Sequence, residues 1–141
     1  AFHQTASSEN GEGAFLAMTK ALSMADLSLA SIDYINAHGT GTPNNDITES
    51  TAISRVFDKN IPLICSTKSY TGHTLAASGG IEAVFSILSL KEGFVPASLN
   101  FSVPMNDGIV PNTKLRKQRV NTVLSNSFGF GGNCSTLIFS R

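Results

Sequence analysis

Residues 33–43 read DYINAHGTGTP, and the fold turns on how that stretch is divided. Residues 34–37 form a short, largely apolar piece, bounded by Asp33 in front and by the glycine-rich HGTGTP behind. Such a piece between a turn-former and a glycine loop predicts a buried strand that delivers its C-terminal end to a loop.

Working outward, the same arrangement recurs. Residues 63–66 (LICS) predict a second strand, followed by a polar stretch at 68–73. Residues 121–125 and 135–139 predict two more, separated by SFGFGGN. Helical spacing fills the intervals. Residues 13–25 place Phe15, Leu16, Met18, Leu22 and Met24 among good helix formers. Residues 46–57 do the same with Ile47, Ala52, Ile53, Val56 and Phe57, and Asp46 stands near the N-terminus, where a carboxylate complements the helix dipole. Residues 75–90 are hydrophobic almost all round, with Glu82 the first charge and Lys91 the next, which predicts a helix buried in a multilayer protein. Strand, helix, strand, helix and a strand pair make an α/β pattern with a mixed sheet. Residues 38–43, 68–73 and 128–133 all fall just past predicted strand ends, where open α/β sheets place their sites.

The 141 residues allow one domain. Ten Lys plus Arg balance ten Asp plus Glu, so no net field favours nucleic acid or an anionic membrane. Charged residues are only 14%, and the polarity is carried instead by 18 Ser, 12 Thr, 11 Asn and 12 Gly. That balance suits a buried polar site or large buried interfaces better than an isolated solvated surface. A start at Ala1 rather than Met points to a chain that begins inside a longer reading frame. No apolar run approaches the ~20 residues of a membrane span, so no membrane insertion is expected. Cys65 and Cys134 lie in strand-like runs and are too few for a disulfide framework, which predicts structural thiols in a reducing compartment and a cytoplasmic location.

His38 and His73 each follow a predicted strand and neighbour a glycine. Two neutral imidazoles converging on one point can donate N–H bonds to a developing oxyanion. Neither HExxH nor a CxxC pair occurs, so no metal is expected, and the absence of GxGxxG and GxxxxGK argues against dinucleotide and P-loop sites. If buried, Lys68 and Glu82 each need a partner, and a pair between them would fix the loop that holds His73; the pattern equally allows Glu82 to face water. Glu49 reads as a first-turn carboxylate that needs no role beyond the dipole. The glycines of GFGGN permit a turn that aims an N–H at an oxyanion, or merely a tight turn. KLRKQR at 114–119 reads as a solvated surface or a patch for an acidic protein.

Taken together, AFHQTASSENGEGA, NAHGTGTP, STKSYTGHTLAASG and NSFGFGG resemble, in order and spacing, the C-terminal half of the beta-ketoacyl-acyl carrier protein synthases, in particular the elongating, synthase II-like class with two histidines. The resemblance covers essentially the whole chain. It implies a thiolase-like fold of layered α/β/α/β/α architecture, with residues 1–141 as most of its second half. The implied reaction is a decarboxylating Claisen condensation of malonyl-carrier protein with an acyl group held on a cysteine. By the same resemblance, His38 and His73 stabilise the enolate, Lys68 orders the site around His73, and Glu49 and Glu82 match the acidic positions near that lysine. Thr40 and Thr42 match hydroxyls that bind the pantetheine arm. Phe130 matches an aromatic gate whose backbone N–H serves the oxyanion hole, and the loop around His3 and Thr5 matches one that packs on the gate.

No resident cofactor is implied, since substrates arrive on the phosphopantetheine arm of acyl carrier protein. The implied partners are that carrier protein, the missing N-terminal half, and a second copy in a homodimer. No residue matches the family's nucleophilic cysteine, so the fragment alone is expected to be inactive. The alternatives are a non-catalytic subunit of the chain-length-factor type and a carrier-protein binding module using KLRKQR and the pantetheine threonines Thr40 and Thr42. GGNC stands where the fatty acid enzymes usually show GGTN, which opens a pigment, polyketide or polyene pathway beside fatty acid synthesis.

Overall fold

The structure is a computed structural model that describes residues 3–141; Ala1 and Phe2, the first residues of AFHQTASSENGEGA, lie outside the described residues. Its centre is β1 (Tyr34–Asn36), all three residues buried. This strand pairs in parallel with β2 (Leu63–Cys65) on one side and with β5 (Thr122–Gly129) on the other, and β5 pairs antiparallel with β6 (Asn133–Ser140). The order β2-β1-β5-β6 is the mixed sheet that the sequence predicts. Register sets the site: Asn36 lies opposite both Cys65 and Ser125, so β5 continues past the end of β1 from Asn126 onward.

Helices cover both faces. Successive residues of a strand point to opposite sides, and Ile35 and Leu124 accordingly meet Ala14, Met18 and Leu22 of α1 (Glu12–Ala25) and Ala52, Ile53 and Phe57 of α2 (Pro43–Phe57). Tyr34, Cys65 and Val123 face the other way, toward Leu90 of α4 (Ser78–Glu92), Val95 and Val120.

Several boundaries differ from the sequence expectation. α2 begins at Pro43, with the Thr42 Oγ1 accepting from the Asn45 N–H at 3.4 Å and proline at the first position, where its missing N–H costs nothing. Residues 68–73 are not simply a loop, because Lys68–Thr71 form a single turn, α3. Residues 75–77 form a separate 3₁₀ turn ahead of α4. SFGFGGN is mostly strand: pairing with β6 carries β5 through Gly129, and only Phe130–Gly132 turn. Within KLRKQR, which reads as solvated surface, Arg116–Lys117 form a short strand, β4, that pairs antiparallel with β3 (Phe94–Val95); both β4 residues are exposed, whereas Val95 is buried. α4 departs most. Its buried face holds Ser78, Glu82, Ser86, Ser89 and Leu90, while Val84, Ile87 and Leu88 are exposed in this chain. Small polar side chains let the helix lie close to β5, and the apolar face is turned away.

Candidate active site

β1 hands the chain directly to His38, and a carboxylate then fixes the turn. Glu49 lies in the second turn of α2, not the first, because the helix starts at Pro43. It is buried and serves as an acceptor hub: Oε1 receives the His38 N–H at 2.9 Å and Asn126 Nδ2 at 3.1 Å, and Oε2 receives the Gly39 N–H at 2.9 Å and Asn45 Nδ2 at 3.2 Å. Its role therefore exceeds the dipole. Gly39 has φ +47°, and a Cβ there would sit 2.5 Å from the Ser66 Cβ, whose hydroxyl donates to the Gly39 carbonyl at 3.0 Å. Gly41 also has positive φ, +70°, but open space beside it.

Lys68 opens α3 at the end of β2 and is buried. Its ammonium donates to Glu82 Oε1, the pairing that the sequence left open, and Glu82 is only 2% exposed. Burial raises the Glu82 carboxyl above its ordinary value, opposed by the Lys68 hydrogen bond and charge. Ser127 Oγ donates to the second Glu82 oxygen at 3.4 Å. The lysine side chain reaches His38, with Nζ 3.4 Å from Nδ1, rather than His73. Its link to the His73 loop is through the backbone, where the Gly72 N–H donates to the Lys68 carbonyl at 2.9 Å.

The two imidazoles meet edge to face, with ring centroids 5.4 Å apart and planes at 86°. An ammonium can only donate, so the Lys68 contact makes His38 Nδ1 an acceptor and puts the proton of the neutral ring on Nε2. Burial first, then the charge of Lys68 and the neighbouring His73, lowers the His38 pKa from 6.5 to about 3. His73 is exposed. Its Nδ1 accepts the Leu75 N–H at 3.1 Å and lies 3.0 Å from Ser78 Oγ, which again assigns the proton of the neutral ring to Nε2. Phe128 packs beside His38, centroids 5.6 Å apart.

The remaining expected residues surround this pair unevenly. Phe130 is 75% exposed on its turn, and the next residue, Gly131, donates its N–H to the Gln4 carbonyl at 2.8 Å, so the N-terminal loop meets the Phe130–Gly132 turn. In that loop the Thr5 N–H donates to His3 Nδ1 at 3.2 Å. Thr40 and Thr42 hydroxyls lie 3.0 Å apart. Neither cysteine is disposed as a thiolate: Cys65 is buried against the Tyr34 hydroxyl at 3.4 Å with its thiol pushed up to about 11, and burial raises Cys134 as well. The residues of KLRKQR are exposed and form no ion pair among the described residues. Among the described residues no three His, Cys, Asp or Glu side chains form a group able to hold a metal, and no helix is long and apolar enough to cross a membrane. Sequence reasoning assigned no role to Asn126, Ser127, Ser78 or Asn45; the signals for Asn126 are its place just after a predicted strand and at the head of NSFGFGG.

Comparison with known proteins adds three findings. The family described as beta-ketoacyl synthase, C-terminal domain, matches residues 1–102. The 3-oxoacyl-[acyl-carrier-protein] synthase 2 of Rhizobium meliloti is 46% identical over 100% of this chain and 34% of its own length; the mitochondrial 3-oxoacyl-[acyl-carrier-protein] synthase of Arabidopsis thaliana is 44% identical over 99% and 32%. A solved structure described as AntDE:AntF, a type II PKS acyl-carrier protein in complex with its ketosynthase bound to the hexaketide, superposes with a TM-score of 0.94 at 32% identity, over 99% of this chain and 35% of that one. The chain spans about a third of the length of the curated relatives it matches.

Proposed function

The chain belongs to the beta-ketoacyl synthase family, as its C-terminal domain with a thiolase-like fold, and on that premise we propose that it supplies the carbanion-forming half of a 3-oxoacyl-[acyl-carrier-protein] synthase. The observation that carries this reading is the imidazole pair: two perpendicular rings, each with Nδ1 engaged as an acceptor and Nε2–H left to donate. A malonyl thioester whose carbonyl oxygen accepts those two bonds loses CO₂ as the C–C electron pair passes into the enolate, and fixed donors stabilise the charge where it develops. The enolate carbon then attacks an acyl thioester, the C–S bond breaks, and the thiolate returns to its cysteine. A ring whose pKa lies at about 3 performs this as a neutral donor and not as a charged acid.

The acylated cysteine comes, in this proposal, from the part of the parent that the relatives have and this chain does not. Acyl carrier protein delivers both substrates on its phosphopantetheine arm, past Thr40, Thr42 and the Phe130 gate, and no resident cofactor takes part. The parent works in the cytoplasm as a homodimer. KLRKQR is an unsuitable landing site for that arm. It precedes the first residue of β5, whereas Phe130 follows the last, and eight strand residues span about 26 Å. This weighs against KLRKQR as the docking patch of a carrier-protein binding module, a reading that then rests on Thr40 and Thr42 alone.

The test uses the full-length parent with acyl-carrier protein and malonyl-carrier protein labelled at the free carboxyl. His38→Ala and His73→Ala are each expected to slow release of labelled CO₂ by about 10²–10³-fold, the cost of losing one oxyanion donor. Wild-type release by both variants overturns the role assignment. A parent without a reactive cysteine identifies the chain-length-factor type instead.

A further inference from the structure

We infer that Asn126 is a positioning residue for this chemistry, linking the gate hairpin to the loop that carries His38. The inference rests on the proposed reading of the histidine pair and concerns what holds one member in place. Asn126 is fully buried, at the point where β5 has passed the end of β1. Its Oδ1 accepts from Thr136 Oγ1 at 2.8 Å, and Thr136 is its cross-strand partner on β6. Its Nδ2 donates to Glu49 Oε1 at 3.1 Å, the same oxygen that receives the His38 N–H at 2.9 Å. A continuous path of hydrogen bonds thus runs from β6 across β5 and through a carboxylate to the backbone of His38, and the turn that closes this hairpin is the gate, Phe130–Gly132.

The amide is the side chain this path requires. It must donate to a carboxylate and accept from a hydroxyl, and an uncharged Asn does both where an ionised Asp can only accept. The adjacent Ser127 points to the other face and donates to Glu82, so two consecutive residues of β5 touch the two buried acids of the site. A shift of the hairpin therefore changes the support of His38 before any substrate group is touched.

The experiment is Asn126→Asp in the full-length protein, with malonyl-carrier protein decarboxylation followed against pH. The charged and titratable groups around position 126 are Glu49 and, through it, the His38 loop on one side, Cys134 on β6, and Glu82 on α4 with its partner Lys68 on α3; α1 contributes only the uncharged Met18. At pH 8 the new carboxylate opposes Glu49, and kcat is expected to fall about 10- to 100-fold, as for a misplaced catalytic group, with KM little changed. On acidification toward pH 5.5, the introduced carboxylate gains a proton and donates as the amide did, and the ratio of variant to wild-type kcat rises. A ratio that stays flat, or a loss confined to KM, overturns the inference. If Asn126→Asp does not fold, Thr136→Val removes only the first link, and kcat is expected to fall about 2- to 10-fold; an unchanged kcat overturns the inference too. Failure of the underlying reading is separate, since a wild-type protein that never releases CO₂ from malonyl-carrier protein breaks that reading itself.

Discussion

His38 and His73 are the same side chain in opposite circumstances. The first is buried, its backbone N–H held by Glu49 and its ring by Lys68; the second is exposed, its ring held by a backbone N–H and one serine. Both end in the same tautomer. The difference teaches that one donor is made neutral by its surroundings, at the cost of a buried ion pair, while the other depends on local hydrogen bonds at the start of α4.

The contrast breaks most severely at the ion pair. Lys68→Met leaves the Glu82 carboxylate buried without a cation and is expected to cost about 3–5 kcal/mol in denaturant unfolding of the parent. The double variant Lys68→Met with Glu82→Leu recovers most of that if the penalty is the uncompensated charge, and recovery of none of it refutes this account.

Acid titration sharpens the comparison next. The folded pKa of His38 is depressed from 6.5 to about 3, so the unfolded state binds the extra proton. The resulting stability is complete above pH 6.5 and is lost as pH falls toward 3. Linkage puts the loss at about 2 kcal/mol by pH 5. Unfolding of wild type and His38→Gln, compared at pH 7 and 5, measures it, and parallel pH dependences would contradict the neutral assignment.

The smallest effect concerns the exposed partner. Ser78→Ala removes one contact to His73 Nδ1, and a loss of about 0.5–1.5 kcal/mol is expected, typical of one hydrogen bond. The same variant is expected to shift ¹⁵N resonances of the His73 ring while leaving those of His38 unchanged. Equal shifts in both rings would mean that they are not independently held.

Much of the site is legible in the sequence because strand, loop and motif coincide: β1 ends within residues 34–37, and His38, Lys68 and His73 follow the strand ends as the pattern has them, whereas only the structure decides that Glu82 is buried against Lys68 and not turned to water. Glu49 is misjudged when its helix is begun at Asp46, although Thr42 followed by Pro43 is itself a helix-start signal. Asn126 is hidden by a strand end drawn too early: glycines suggest a turn, but cross-strand pairing overrides that preference until Phe130. The orientation of α4 is obscured by counting its apolar residues. Ser78, Glu82, Ser86 and Ser89 repeat at helical spacing and mark the face that meets the sheet, a signal carried by small polar residues.

The two glycines of HGTG carry different amounts of information for anyone redesigning or recombining this domain. Position 39 is closed twice, by its backbone angle and by Ser66, so a library that varies it spends its diversity on chains that cannot place His38. Position 41 is closed only by its angle, and asparagine, which tolerates that region, is the natural first substitution. Diversity introduced there changes the loop surface beside Thr40 and Thr42 while leaving the His38–His73 pair where it is.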